Sequence, residues 1–339
     1  MLKRKMLIAL ALTAALVVTA VPVSGAPLTQ PTHLFTFGDS SIDKGRALEM
    51  TTEIVNRPDA PEDAFIRAES GFYWQGRYSN GPVYTELLAE HFEIEITNYA
   101  VGGAKSGPNA LGYTNWSDWF EGTGGIEQTL DAIRDMEGEL DPDALYLIHI
   151  GGNDGFNLSF DTVENVAAAS AANIKTMVEN LAGAGAENFV VVLQTYRPGR
   201  GISAFGEAHA AATTQAMREA REELGVNILT VDFSPLNRDI GENPERYGFA
   251  TFHHYVISNF IPYGMGFSWI DNTEHFANVP EDFGVYEFDD FAGYDEYSRG
   301  FWTVDEYYFF DEWHITRKAH YHHFNYIRPL VKNFLSNVN

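Results

Sequence analysis

The sequence predicts a doubly wound, three-layer α/β/α sandwich around a parallel five-stranded sheet. Two observations carry this reading: five short apolar runs of strand length, and amphipathic segments of helical period lying between them. A third bears on use, because in such open sheets the crevice lies beyond the carboxyl ends of the strands, and the Gly-rich patches of this chain follow those ends.

In chain order, Lys3, Arg4 and Lys5 precede an apolar run from Met6 to Val21 and small residues around Ser24, Gly25 and Ala26. This is the pattern of a secretory signal peptide, residues 1–26, and predicts a secreted or periplasmic bacterial protein. The run is short of the roughly 20 residues a membrane-spanning helix needs. The remainder, 27–339, reads as a single domain, since no Pro/Ser-rich linker divides it. The strands are expected at Leu34–Phe37, Ile94–Asn98, Ala144–Ile150, Phe189–Gln194 and Ile228–Val231. Helices are expected at Pro82–Phe92, Ile126–Met136, Val163–Leu181 and Glu207–Leu224, with Gly183 and Gly225 placed to end the last two. Regular alternation fails at about 247–310, which reads as a long insertion. Within it, residues 283–310 hold 12 aromatics and 7 carboxylates against one basic residue, Arg299. Those rings serve either as the packed interior of a cap or as a substrate wall.

Composition removes several function classes. The formal charge is −25, and −28 once Lys3, Arg4 and Lys5 are lost, which argues against nucleic acid as a partner. There is no cysteine, so thiol nucleophiles, thiolate metal sites and disulfides are excluded. No G-x-S-x-G elbow, no P-loop and no complete dinucleotide-binding glycine pattern occurs. His253-His254 and His320-Tyr321-His322-His323 invite a metal reading, but H-E-x-x-H is absent and helical spacing scatters the second cluster around its helix, so no metal site is assigned.

Four patches remain, each suited to one task in acyl transfer. Gly38-Asp39-Ser40 follows the first strand; Ser40 can act as a nucleophile if a base takes its proton, although an Asp-Ser pair also serves as a helix cap. Asn98 to Ser106 contains Gly102-Gly103, where a backbone N–H at Gly103 can meet an oxyanion. Gly151-Gly152-Asn153-Asp154 follows the third strand and offers Asn153 as an uncharged donor. In Asp311-Glu312-Trp313-His314, Asp311 can orient His314 while the second ring nitrogen serves Ser40, with Glu312 as a rival carboxylate and Ser41 as a rival nucleophile.

These patches, in this order, resemble the GDSL or SGNH hydrolases over about residues 34–336, and 76–82 and 243–249 resemble further blocks of larger lipase-like members. The resemblance implies a flavodoxin-like SGNH hydrolase fold and a serine esterase or lipase working through an acyl-enzyme. By it Ser40, His314 and Asp311 form the triad, and Ser40, Gly103 and Asn153 the oxyanion hole. It implies no cofactor, and a small-molecule, lipid or acylated-glycan ester as substrate. Acyl transfer, phospholipid hydrolysis and carbohydrate deacetylation are neighbouring activities, with noncatalytic glycan or lipid binding the remaining alternative. Two departures stand out: Ser41 replaces the leucine of the family name, and Lys105, read as solvated, sits where small or hydroxyl residues are commoner.

Overall fold

The computed structural model describes residues 30–108, 122–193, 201–255 and 306–338, apart from 61, 63, 65, 69–72, 202 and 312; for 251–255 it describes the backbone. Both the signal segment and most of the 247–310 insertion therefore lie outside the described residues.

Five parallel strands form the central sheet: β1 (His33–Gly38), β2 (Glu95–Asn98), β3 (Leu145–His149), β4 (Asn188–Leu193) and β5 (Asn227–Asp232). Their order is β2-β1-β3-β4-β5, the flavodoxin-like arrangement, so the strand order reverses between β1 and β3. The intervening helices are α1 (Arg46–Val55), α2 (Tyr84–Phe92), α3 (Gly125–Asp135), α4 (Val163–Gly183) and α5 (Ala204–Leu224). After β5 come α6 (Ser234–Glu242), β6 (Thr251–Tyr255), β7 (Tyr307–Phe309) and the C-terminal α7 (Arg317–Asn337). β6 and β7 pair in parallel as a separate two-stranded ribbon that closes the two ends of the insertion.

Period-two alternation splits the core between the two sheet faces. Phe35, Phe37, Tyr146, Ile148, Phe189 and Val191 point to one side, against Ile174, Met177 and Leu181 of α4 and Met217 of α5. Leu34, Leu145, Leu147, Val190 and Val192 point to the other, against Leu88 of α2 and Ile327, Val331 and Leu335 of α7. Each such side chain contributes about 1.5–3 kcal/mol on burial. Strands buried on both faces read as continuous apolar runs, which is why the central strands β1, β3 and β4 were visible in the sequence.

The ends of helices follow side-chain chemistry. Thr162, Ser203 and Thr316 cap α4, α5 and α7 by accepting from backbone N–H groups of the first turn. Gly225 ends α5 at φ 70°, as expected. Helices α1 and α6 were not anticipated. Both are short, and α1 depends on Asp43, whose carboxylate accepts from the N–H groups of Gly45 (2.8 Å), Arg46 (2.7 Å) and Ala47 (3.2 Å).

Candidate active site

The reversal of strand order places the loops after β1 and β3 side by side, and Ser40 lies in the first of them. Gly38, the last residue of β1, is a steric requirement: a Cβ there would stand 2.4 Å from the His149 carbonyl oxygen. The buried Gln128 amide clamps this residue from α3, accepting from its N–H (2.8 Å) and donating to its carbonyl (2.9 Å). Asp39 then shapes the turn by accepting from the Ser41 N–H at 2.9 Å.

From the far end of the chain, His314 reaches Ser40, with Nε2 2.6 Å from Oγ. His314 Nδ1 lies 2.6 Å from Asp311 Oδ2. Asp311 is fully buried and also accepts from Tyr73 O–H (2.6 Å) and from the N–H groups of Trp313 (2.7 Å) and His314 (2.8 Å). Burial by itself would raise its pKa, but His314 and these donors outweigh it and hold the carboxyl below its ordinary value. A carboxylate can only accept, so Nδ1 carries the imidazole proton and Nε2 is left to accept from the Ser40 hydroxyl. Glu312 lies outside the described residues.

The segment 310–314 is folded tightly onto itself, the Phe310 N–H donating to the His314 carbonyl at 2.8 Å. A cradle at 73–81 receives it: Tyr78 packs its ring at 4.8 Å from the imidazole, Ser79 Oγ donates to the Ile315 carbonyl (2.8 Å), and Asn80 Oδ1 accepts from the Arg317 N–H (2.8 Å). Tyr78 is buried, and its phenol is pushed up to about 12, first by that burial. It is therefore uncharged beside the imidazole.

The two Gly-rich loops meet each other, and the first is tied to the serine turn. Asp43 Oδ2 accepts from the Gly102 N–H at 2.7 Å, joining the serine turn to the Gly102-Gly103 loop. Asn98 adds a second tie, donating to the Ile42 carbonyl at 2.7 Å. Gly103 takes φ 85°, a conformation that favours glycine. Asn153 sits in a 3-10 turn (Gly152–Ser159) directly after β3, and its Nδ2 donates to the Ala104 carbonyl at 3.0 Å, which leaves one amide hydrogen for a ligand. The next residue, Asp154, is buried and holds Ser106 by its N–H (2.9 Å) and hydroxyl (2.7 Å). Among the described residues, the backbone N–H groups of Ser40 and Gly103 donate to no acceptor.

Lys105 is half-buried, and its ammonium donates to Asn157 Oδ1 at 2.7 Å, across the same loop junction. The histidine cluster is divided around α7, as helical spacing requires. His320 and His323, three residues apart on α7, share a buried face, while His322 turns to the Tyr247 carbonyl at 3.0 Å. Among the described residues no group of three or more His, Asp or Glu side chains is arranged to hold a metal ion. Likewise no helix among them is long and apolar enough to cross a membrane. Sequence reasoning missed Tyr73, Asp43, Gln128 and Asp154. Asp43 and Asp154 lay next to named motifs, whereas Tyr73 and Gln128 carried no local signal.

The chain belongs to the GDSL-like lipase/acylhydrolase family, whose pattern it matches over residues 34–327. It is similar to a phosphatidylcholine-sterol acyltransferase from Aeromonas hydrophila, 26% identical over 132 residues, or 38% of this chain and 34% of that protein. The match thus spans about a third of that relative. Among solved structures it resembles an acetylxylan esterase from Geobacillus stearothermophilus (15% identity, 64% of this chain and 83% of that one, TM-score 0.37). It also resembles a carbohydrate acetylesterase from Sinorhizobium meliloti (12% identity, 58% and 83%, TM-score 0.34).

Proposed function

We propose that the protein is an exported serine esterase in which Ser40 is the nucleophile, His314 the general base and then acid, and Asp311 the group that orients His314. The observation that carries this reading is the unbroken chain from Ser40 Oγ to His314 Nε2 and from Nδ1 to Asp311, each contact at 2.6 Å. As Oγ attacks the ester carbonyl, its proton passes to Nε2 and the carbonyl oxygen becomes an anion. The Ser40 and Gly103 N–H groups and the Asn153 amide are the donors for that charge. Collapse breaks the bond to the alcohol, and His314 returns the proton to the departing oxygen. Water then repeats the sequence on the acyl-Ser40 ester, giving the free acid.

Each part of this reading has a separate test. Hydrolysis of p-nitrophenyl acetate, butyrate and palmitate by wild type and Ser40→Ala tests the nucleophile: activity surviving the substitution rules Ser40 out. Cleavage within residues 20–27, read from the N-terminus of protein recovered outside the cell, tests export. A second reading, transfer of the acyl group to an alcohol, draws on the partial likeness to the acyltransferase. Product analysis with an alcohol present, seeking a new ester beside the free acid, separates the two.

A further inference from the structure

The cradle residue Tyr78 touches several parts of the site at once. Its ring packs 4.8 Å from the His314 imidazole, tilted by 38°, and 5.4 Å from the ring of Tyr73, the donor to Asp311. At its other end the phenol lies against the Gly102 backbone, where an added Cβ would overlap the Tyr78 hydroxyl and the ring carbons next to it. Arg67 Nε donates to the same hydroxyl oxygen at 3.1 Å. One buried side chain thus spans from the base to the loop that presents Gly103.

The far end of this span is well anchored. The Arg67 N–H donates to Thr51 Oγ1 on α1 at 2.9 Å, and Asp43 caps the start of that helix. Asp43 Oδ2 also accepts from the Gly102 N–H at 2.7 Å, so a circuit runs from Asp43 through α1, Arg67 and Tyr78 back to Gly102. The imidazole has less support. Nδ1 meets Asp311 and Nε2 meets Ser40, and both bonds lie in the plane of the ring. A ring held only in its plane can still tilt about the line joining its partners, whereas packing against its face stops the tilt. Tyr78 supplies that packing. Its hydroxyl, pushed up to about 12 first by burial, keeps its hydrogen, so the contact with the imidazole is one of shape and not of charge.

We propose that Tyr78 is a positioning residue that sets the spacing and angle between His314 and the Gly102-Gly103 loop, with Arg67 fixing its hydroxyl end. The role rests on the acyl-Ser40 reading above. In that reaction the base and the oxyanion donors serve one carbonyl group from different sides, so their relative placement matters as charge develops on its oxygen. The bound ester makes no such demand before attack. A lost spacing therefore appears in kcat and leaves KM in place.

Steady-state kcat and KM on p-nitrophenyl butyrate test this. Tyr78→Leu, which takes away the ring, is expected to lower kcat by roughly 10–100-fold with KM held within about twofold. Tyr78→Phe keeps the ring and loses only the bond to Arg67, so its kcat should stay within about threefold of wild type. Arg67→Met should reproduce that roughly threefold loss, and the pair combined should not deepen it, because both remove the same bond. Gly102→Ala should cost at least about tenfold in wild type and clearly less in Tyr78→Leu, where the overlapping atoms are gone. Equal kcat in wild type and Tyr78→Leu, equal losses in Tyr78→Leu and Tyr78→Phe, or multiplied losses in the Arg67→Met/Tyr78→Phe pair overturn the role. If Tyr78→Leu does not fold, that pair decides, since both of its members keep the ring in place. A wild type that cleaves the ester while the variants match its kcat sinks the positioning role and leaves the Ser40 reading standing; a wild type without esterase activity sinks both.

Discussion

Asp311→Asn is nearly isosteric, yet the structure leaves the new amide only one orientation. One carboxylate oxygen faces two backbone N–H groups, of Trp313 and His314, which cannot turn away. The amide oxygen must take that side. The NH2 group then faces Tyr73 O–H and His314 Nδ1, which were 2.6 Å from the other oxygen. Tyr73 can rotate its hydrogen, but Nδ1 can accept only by giving up its own. The imidazole hydrogen therefore moves to Nε2 and points at Ser40 Oγ, which removes the base. The expected loss is about 10⁴ in kcat, or roughly 5 kcal/mol of transition-state stabilisation. Stopped-time hydrolysis of p-nitrophenyl butyrate across pH 5–9, alongside circular dichroism to show a retained fold, measures it. A loss below tenfold at every pH would refute the argument that Asp311 sets the tautomer of His314.

Other expectations follow from the same contacts. Asn153→Ala removes one oxyanion donor and should lower kcat by roughly 10²–10³, and steady-state kinetics showing an unchanged kcat would remove Asn153 from the site. Gly38→Ala forces a Cβ to 2.4 Å from the His149 carbonyl and should destabilise the fold by about 1–3 kcal/mol, read from the urea midpoint. Asp43→Asn leaves at least one of the Gly45, Arg46, Ala47 and Gly102 N–H groups facing an amide NH2. It should therefore lower both kcat and the melting temperature, and an unchanged kcat would free the Gly103 loop from dependence on Asp43. Burial lowers His209 to about 4 and His320 to about 3, so the unfolded chain binds protons below pH 6.5 that the native state refuses. Stability should then fall as pH drops from 6.5 toward 4, by up to about 1.4 kcal/mol per pH unit per imidazole. A melting temperature constant over that window contradicts buried neutral histidines.

The sheet was legible because its central strands β1, β3 and β4 are buried on both faces, and Leu34–Phe37 or Phe189–Val192 admits no other reading of comparable economy. The candidate site was legible for a different reason: Ser40, Gly103, Asn153 and His314 each sit in a short motif at a strand or helix boundary. What stayed hidden were contacts between distant segments. Tyr73 meets Asp311 across 238 positions, and Gln128 meets Gly38 across 90, with nothing local to mark either. The contact of Lys105 was hidden too, because its partner Asn157 comes from the turn after β3, brought near only by the sheet order. His320 and His323 stand apart from His322 as helical spacing requires, but the partners that bury them, from α2 and α6, are not visible in the sequence.

The central claim is that Ser40 is acylated through His314. A p-nitrophenyl phosphonate, which leaves a stable adduct on an activated serine, tests it by peptide mass spectrometry. The account predicts one adduct, on Ser40 within the 38–44 peptide, formed in step with loss of esterase activity and absent from His314→Ala. An adduct on Ser41 or on any distant residue, or full inactivation with Ser40 unmodified, would contradict it.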